Sequence, residues 1–213
     1  MKARLIGIDC ATVDWLLAVH EPRILAIDSP LGWPAPLAPA LTRHLAGNRI
    51  DTSADDLFQR GTDRFVRAEL SKRPFDVGAD RIARTAHAAL RLLGELRDRL
   101  GVDIPLLWET TFAGVAAIEV YPAATLIAHR YRSDGYKKTD QLAERRHMVT
   151  QLSSDMSIDR TLGSLEADPN GLDAAVCVLA AKDFLDGRAL PPPDRGMAER
   201  EGWIWFSPRQ REA

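Results

Sequence analysis

Cysteine is nearly absent from the 213-residue chain: there are only Cys10 and Cys177, each inside an apolar segment. They lack the clustered spacing of a zinc site or a disulfide framework, so both read as reduced core thiols and the disulfide-stapled and zinc-ribbon classes are excluded. Net charge is also nearly absent, with 28 Lys and Arg against 30 Asp and Glu. Nucleic acid therefore exerts no global attraction, and contact with it has to come from a local Arg/Lys patch. No apolar run approaches the ~18 residues of a membrane span. The opening MKARLIGID lacks the tripartite order of a secretory signal. The expectation is a cytoplasmic protein without a membrane partner. The five histidines show no metal-ligand spacing, and no repeat or low-complexity tract stands out.

What is present is a balanced composition, 46% apolar and 27% charged, on a chain long enough to bury roughly 70% of its unfolded surface. The pattern predicts an α/β domain spanning residues 1–213. Residues 3–9 read as a strand ending in Asp9, and residues 12–22 as a short helix with Thr12 as its cap. In RILAIDSPLGW the apolar run Ile24–Ile27 ends in Asp28 and breaks at once on Ser29, Pro30 and Gly32, which makes it a buried strand with a carboxylate at its end. So short a strand, helix and strand imply parallel pairing. Helices are expected over residues 55–71 and 79–100, the second stopped by Gly101. A strand follows over 115–121, then a buried helix over 172–185 and a final aromatic strand over 202–206.

Three of these strands end at or near an acid, Asp9, Asp28 and Glu119, and the late helix begins with Asp173. Ligands of open α/β sheets bind outside the carboxyl ends of the strands. Gathered carboxylates repel one another and lose hydration, and a divalent cation resolves that conflict. Oxygen donors without His or Cys favour Mg²⁺ or Mn²⁺ over Zn²⁺. Two such ions about 4 Å apart would activate a water and stabilise the leaving oxygen of a phosphodiester. Each acid also has a plainer reading: Asp28 bonded to turn amides, Asp173 complementing a helix dipole, Glu119 paired with an arginine.

Arg60, Arg64 and Arg67 fall at i, i+4 and i+7 of an expected helix, a row able to grip phosphates, with Asp63 beside them as the sign of a solvated, ion-paired face instead. GYKK offers Lys137 and Lys138 after a glycine turn, for a nucleic-acid backbone or for solvent. His87 reads as a packed or ion-paired helical residue, and Trp33 as packing over the proline-rich loop that follows Asp28.

GIDCAT, IDSPLGWP, RGTDRFVR, DVGADRIARTAHAAL, IEVYPAATL, GYKK, LDAAVCVLAA and EGWIWF, in that order, resemble the DUF429 family, described as predicted nucleases with a ribonuclease H-like fold. The resemblance implies a parallel-cored sheet with helices on both faces, a helical insertion at about 35–105, and metal-binding acids at Asp9, Asp28 and Asp173, with Glu119 at another acidic family position. Only 18 residues separate Asp9 from Asp28, too few for both a helix and the fold's usual front hairpin. The hairpin is therefore expected to be trimmed or missing, leaving an exposed sheet flank that a homodimer would cover. Asn170 stands where related folds often carry a second acid, which weakens a second metal site.

The expected function is a Mg²⁺- or Mn²⁺-dependent nuclease or phosphodiesterase acting on nucleic acid. Asp9, Asp28, Glu119 and Asp173 would be its metal ligands and catalytic acids, and Arg60, Arg64, Arg67, Lys137 and Lys138 would bind phosphate. Two alternatives stay open. One is a non-catalytic binding or scaffold module that keeps the fold; the other is an actin-like nucleotide-dependent phosphotransferase, since GIDCAT also looks like that class's phosphate-facing strand.

Overall fold

Strand β2, Arg23–Asp28, is buried along its length except at Asp28, which is half-buried. A strand so continuously apolar has to be covered on both faces. The computed structural model, which describes residues 4–8, 22–157 and 162–210, shows how. β2 pairs in parallel with β1, Arg4–Ile8, on one side and with β3, Val115–Val120, on the other. The register sets Ile8 opposite Ile27, Glu119 opposite Ile27, and Val120 opposite Asp28. Parallel pairing is as the short β1-to-β2 connection requires; the helix expected within it, like Asp9 and Cys10, lies outside the described residues.

Side chains alternate across a strand, so each face of the sheet gathers its own cluster. Ile24, Ala26, Ala116, Ile118 and Val120 pack on one side against Cys177, Ala180, Ala181 and Phe184. These belong to helix α8, Pro169–Leu185, whose small residues allow close approach to the sheet. Leu25, Ile27 and Ala117 face the other way and meet Ala89, Leu93 and Leu96. Those lie on helix α4, Asp80–Leu100, whose apolar residues recur at helical spacing and which stops at Gly101 in the left-handed region, φ 63°. Each fully buried leucine of that stripe contributes about 1.5–3 kcal/mol. Among the described residues the architecture is thus α/β, a three-stranded parallel sheet with helices on both faces.

Four helices lie between β2 and β3: α1, Leu37–Leu41; α2, Ala54–Phe58; α3, Gly61–Leu70; and α4. The single helix expected over 55–71 is two, because Arg60 adopts an extended conformation, φ −80° and ψ 166°, as the N-cap of α3. Its amide donates to the Asp63 carboxylate at 2.9 Å, so a side chain takes over a bond that continuous helix would have made. After β3 come α5, Pro122–Ala128; α6, Leu142–Asp155; α7, Leu162–Ala167; α8; and α9, Arg195–Glu201.

The expected last strand is reduced to one parallel bridge between Ile204 and Glu119. The Trp205 amide donates to the Glu119 carbonyl at 3.0 Å, but the Ile204 amide donates to the Thr62 hydroxyl at 2.8 Å and the Phe206 carbonyl accepts from Leu190 at 2.9 Å. Backbone groups distributed among three partners do not form a ladder. Trp203 and Trp205 are buried in the α8-side cluster nonetheless. No helix among the described residues is long and apolar enough to cross a membrane.

Candidate active site

Of the predicted acids, Asp28 and Glu119 sit at the carboxyl end of the sheet and Asp173 in the first turns of α8, while Asp9 lies outside the described residues. β2 delivers Asp28 to that end because its apolar run stops at the Ser29-Pro30 break. α8 delivers Asp173 near its own start, set by Asp168, whose side chain accepts from the Asn170 amide at 2.9 Å, and by Pro169 in the first turn. Beside Asp173 lies Tyr136, buried behind the Gly135 turn, φ 74°. Its hydroxyl donates to Asp173 Oδ1 at 2.5 Å. Burial, then Asp173, then Asp28 raise the Tyr136 pKa, so both carboxylates bear on one phenol that stays protonated. The Lys137 ammonium closes on Asp173 Oδ2. GYKK therefore supplies a hydrogen bond and a cation to Asp173, while Lys138 is exposed.

Glu119 is reached differently. It is 3% exposed, and both its oxygens accept from Arg60: Nη1 to Oε2 at 2.8 Å and Nη2 to Oε1 at 2.7 Å, with the Leu31 amide adding a third bond to Oε2 at 2.9 Å. Arg60 also donates through Nε and Nη2 to Asp63 at 3.1 and 2.9 Å, and through Nη1 to the Glu201 carbonyl at 3.2 Å. Five N–H groups thereby make five hydrogen bonds, the full capacity of a guanidinium. Burial opposes the charge of Arg60, yet Glu119 and Asp63 raise its pKa. Burial also raises the Glu119 carboxyl, against the pull of Arg60. The favoured sequence reading gave these two residues different tasks, ligand and phosphate grip; the fold makes them partners, as the plainer reading of Glu119 paired with an arginine has it.

Arg60, Arg64 and Arg67 do not share one helical face, because Arg60 is the buried cap of α3 whereas Arg64 and Arg67 are exposed on it. Asp63, read as part of a solvated face, is 2% exposed. Arg64 donates to the Gln59 carbonyl at 3.1 Å and lies 3.7 Å from Asp56. His87 is exposed on α4. Among the described residues no group of three or more His, Cys, Asp or Glu is gathered to hold a metal.

Three features of the site escaped the sequence. A cavity of about 230 Å³ opens beside Asp28, reaching from Phe75 at its mouth to Arg60, Asp63 and Glu119. Tyr121, between β3 and α5, lines it, and burial, then Asp28, then Asp63 push its hydroxyl pKa up to about 12. Glu201 fastens the surrounding wall, accepting from the Ala35 amide at 2.7 Å and the Gly61 amide at 2.6 Å. A tyrosine directly after a strand was the one legible signal here.

The profile of one family, described as "Protein of unknown function (DUF429)", matches residues 2–197. No curated protein and no solved structure matches the chain.

Proposed function

The chain belongs to the DUF429 family, and from that premise we propose that it is a divalent-metal-dependent phosphodiesterase of ribonuclease H-like architecture acting on nucleic acid. The observation that carries the reading is the hydrogen bond of Tyr136 to Asp173, from the start of α8, on a hydroxyl whose pKa the charge of Asp28, from the end of β2, also raises. The parallel strand order, the helices on both faces and the acids at the carboxyl end support the architecture.

The donors present fit one hard cation better than two. Asp28 and Asp173 offer oxygen ligands, and the Lys137 ammonium on Asp173 marks a place that receives positive charge. Asp9 is the proposed third ligand. Glu119 is committed to Arg60, and Asn170 is exposed and uncharged. When bound, Mg²⁺ or Mn²⁺ would lower the pKa of a coordinated water and offset charge on the phosphodiester. Tyr136 orients Asp173 through its hydrogen bond. Lys137, displaced from Asp173, would turn to the phosphate, with Lys138, Arg64 and Arg67 as surface contacts along the backbone. Arg60 and Glu119 hold the floor of the site and touch neither the metal nor the phosphate.

Thermal melting with and without Mn²⁺, together with cleavage of a DNA and RNA panel, tests the reading. A ligand bound only by the native state raises its melting temperature. The wild type is expected to gain stability and to cleave, and Asp28→Asn and Asp173→Asn to lose both. No stabilisation at millimolar Mn²⁺ and no cleavage would overturn it. A non-catalytic binding module is the second reading, favoured by the ammonium that already neutralises Asp173; it predicts nucleic-acid binding indifferent to metal.

A further inference from the structure

The cavity beside Asp28 has a polarity that Arg60 decides. Of its lining groups Asp28, Asp63 and Glu119 are carboxylates and Arg60 is the cation. All five guanidinium donors are spent on Asp63, Glu119 and the Glu201 carbonyl, so Arg60 offers an entering molecule no N–H. The carboxylates keep acceptor capacity: Asp63 Oδ1 and Glu119 Oε1 each accept one bond from Arg60, where a carboxylate oxygen has room for about two. The Thr85 hydroxyl donates to the Arg81 carbonyl at 2.8 Å and so presents lone pairs to the cavity it lines. A phosphate would meet like charge there; a group bearing N–H donors would meet acceptors.

The mouth adds shape. Phe75 lines the cavity and is 73% exposed, so the lining includes a large aromatic ring open to solvent. At about 230 Å³ the space suits a single heteroaromatic ring system rather than a drug-sized ligand. Exposed rings at such mouths stack on planar ligands of any sequence.

We propose that this cavity is a base-recognition pocket that takes an amino-bearing nucleobase, with the exocyclic amine toward the carboxylates of Asp63 and Glu119 and the ring stacked on Phe75. The choice of a nucleobase among amine-bearing ligands rests on the phosphodiesterase reading above, because the pocket opens beside Asp28 and would hold the base next to the bond being cleaved. Selectivity is then set at the carboxylates of Asp63 and Glu119: the exocyclic amine of adenine, cytosine or guanine donates to them. Uracil and thymine lack that amine and bring, beside a ring N–H, carbonyl oxygens that the carboxylates repel; the Tyr121 hydroxyl is left as the donor of the lining.

Calorimetric titration with nucleosides, which carry no phosphate, in metal-free buffer separates this inference from the metal chemistry. Two matched pairs serve as probes, cytidine against uridine and adenosine against inosine, each differing by an amine-to-carbonyl exchange. The amino member of each pair is expected to bind at least about tenfold tighter, since an unpaired buried acceptor is costly. Phe75→Ala should weaken cytidine by about tenfold while Phe75→Trp retains it. Phe75 is largely solvent-exposed, so both variants leave the core untouched. Equal binding within the pairs, tighter binding of a simple alkylamine or of guanidinium than of any nucleoside, or no heat with any probe at millimolar concentration would overturn the proposal. Selective binding in a protein that cleaves nothing would sink only the hydrolase, and metal-dependent cleavage without nucleoside selectivity would sink only the pocket.

Discussion

Arg60 and Glu119, 59 positions apart in the chain, meet in a two-pronged ion pair at 2.7 and 2.8 Å with side chains 1% and 2% exposed. Asp63 closes the guanidinium from the other side at 2.9 Å. The pair joins β3 to the start of α3 and, through the Glu201 carbonyl, to the C-terminal segment. A charge this deep is tolerated only while its partners stay in place.

Replacing one member should therefore cost far more than an exposed pair would. Glu119→Gln keeps the shape and removes the charge, leaving Asp63 as the remaining anion against Arg60. The expected loss is about 3–5 kcal/mol, read as a lower urea midpoint at unchanged slope. The double variant with Arg60→Met should be less destabilised than the sum of the singles, because both then remove the same interaction.

The same wall depends on two glycines pressed together. A Cβ on Gly32 would lie 2.4 Å from the Glu201 carbonyl oxygen, and one on Gly202 would lie 2.8 Å from Glu119 Oε2 at a backbone φ of +85°. Gly202→Ala is expected to lose more than about 1 kcal/mol, since both the backbone region and the contact forbid the methyl. Thermal unfolding of Gly202→Ala beside Gly187→Ala separates the two causes. Gly187 shares a positive φ of 71° but has nothing within 4 Å of its Cβ position, so it should lose less.

A pH dependence follows from His129, 6% exposed, whose ring lies between Asp183 at 2.7 Å and Asp155 at 3.1 Å. Tyr131 donates to Asp155, Ser207 and Arg188 donate to Asp183, and Gln210 lies 3.3 Å from the ring. Burial opposes the imidazolium, but Asp183 and then Asp155 outweigh it and raise the His129 pKa above its ordinary 6.5. The native state therefore holds a proton that the unfolded chain has released, and stability falls as pH rises from about 6.5 through the raised value. Asp183 is lowered below its ordinary 3.8: burial acts to raise it, and His129 prevails. Its contribution is present above that value and lost as pH falls through the lowered one. Stability should thus be greatest between the two ordinary values. His129→Gln should flatten the alkaline limb, whose slope is at most about 1.4 kcal/mol per pH unit for one proton; urea unfolding from pH 5 to 9 checks it.

If Lys137 occupies the place of a cation on Asp173, it competes with one. Lys137→Ala is expected to tighten Mn²⁺ binding several-fold, the scale of a partly exposed ion pair removed, and to slow any cleavage by losing a phosphate contact. Calorimetric Mn²⁺ titration of the two proteins decides the first part; unchanged or weaker affinity would contradict it.

Much of the frame was legible in the chain itself. The β2 boundaries follow from an apolar run that ends at Asp28 before Ser29 and Pro30, and α4 from its periodic leucines and the stop at Gly101. The helix broken at Gln59 and Arg60 was not legible, since nothing local in RGTDRFVR forbids continuous helix; the break exists because the Arg60 side chain is needed against Glu119. Nor was the last strand's reduction to one bridge, since Thr62 and Leu190 draw its backbone groups away from β3.

Short-range pattern is a matter of a few bonds' propensity and of which face is apolar, and that information lies within ten or twenty residues. It settled β2 and β3, the parallel pairing of β1 with β2, and the positions of Asp28 and Glu119 along their strands. A buried charge states only that it must have a counter-charge. Which one it receives depends on the path of the whole chain, so the tertiary structure alone decided that Glu119 holds Arg60 and that Asp173 meets Tyr136 and Lys137.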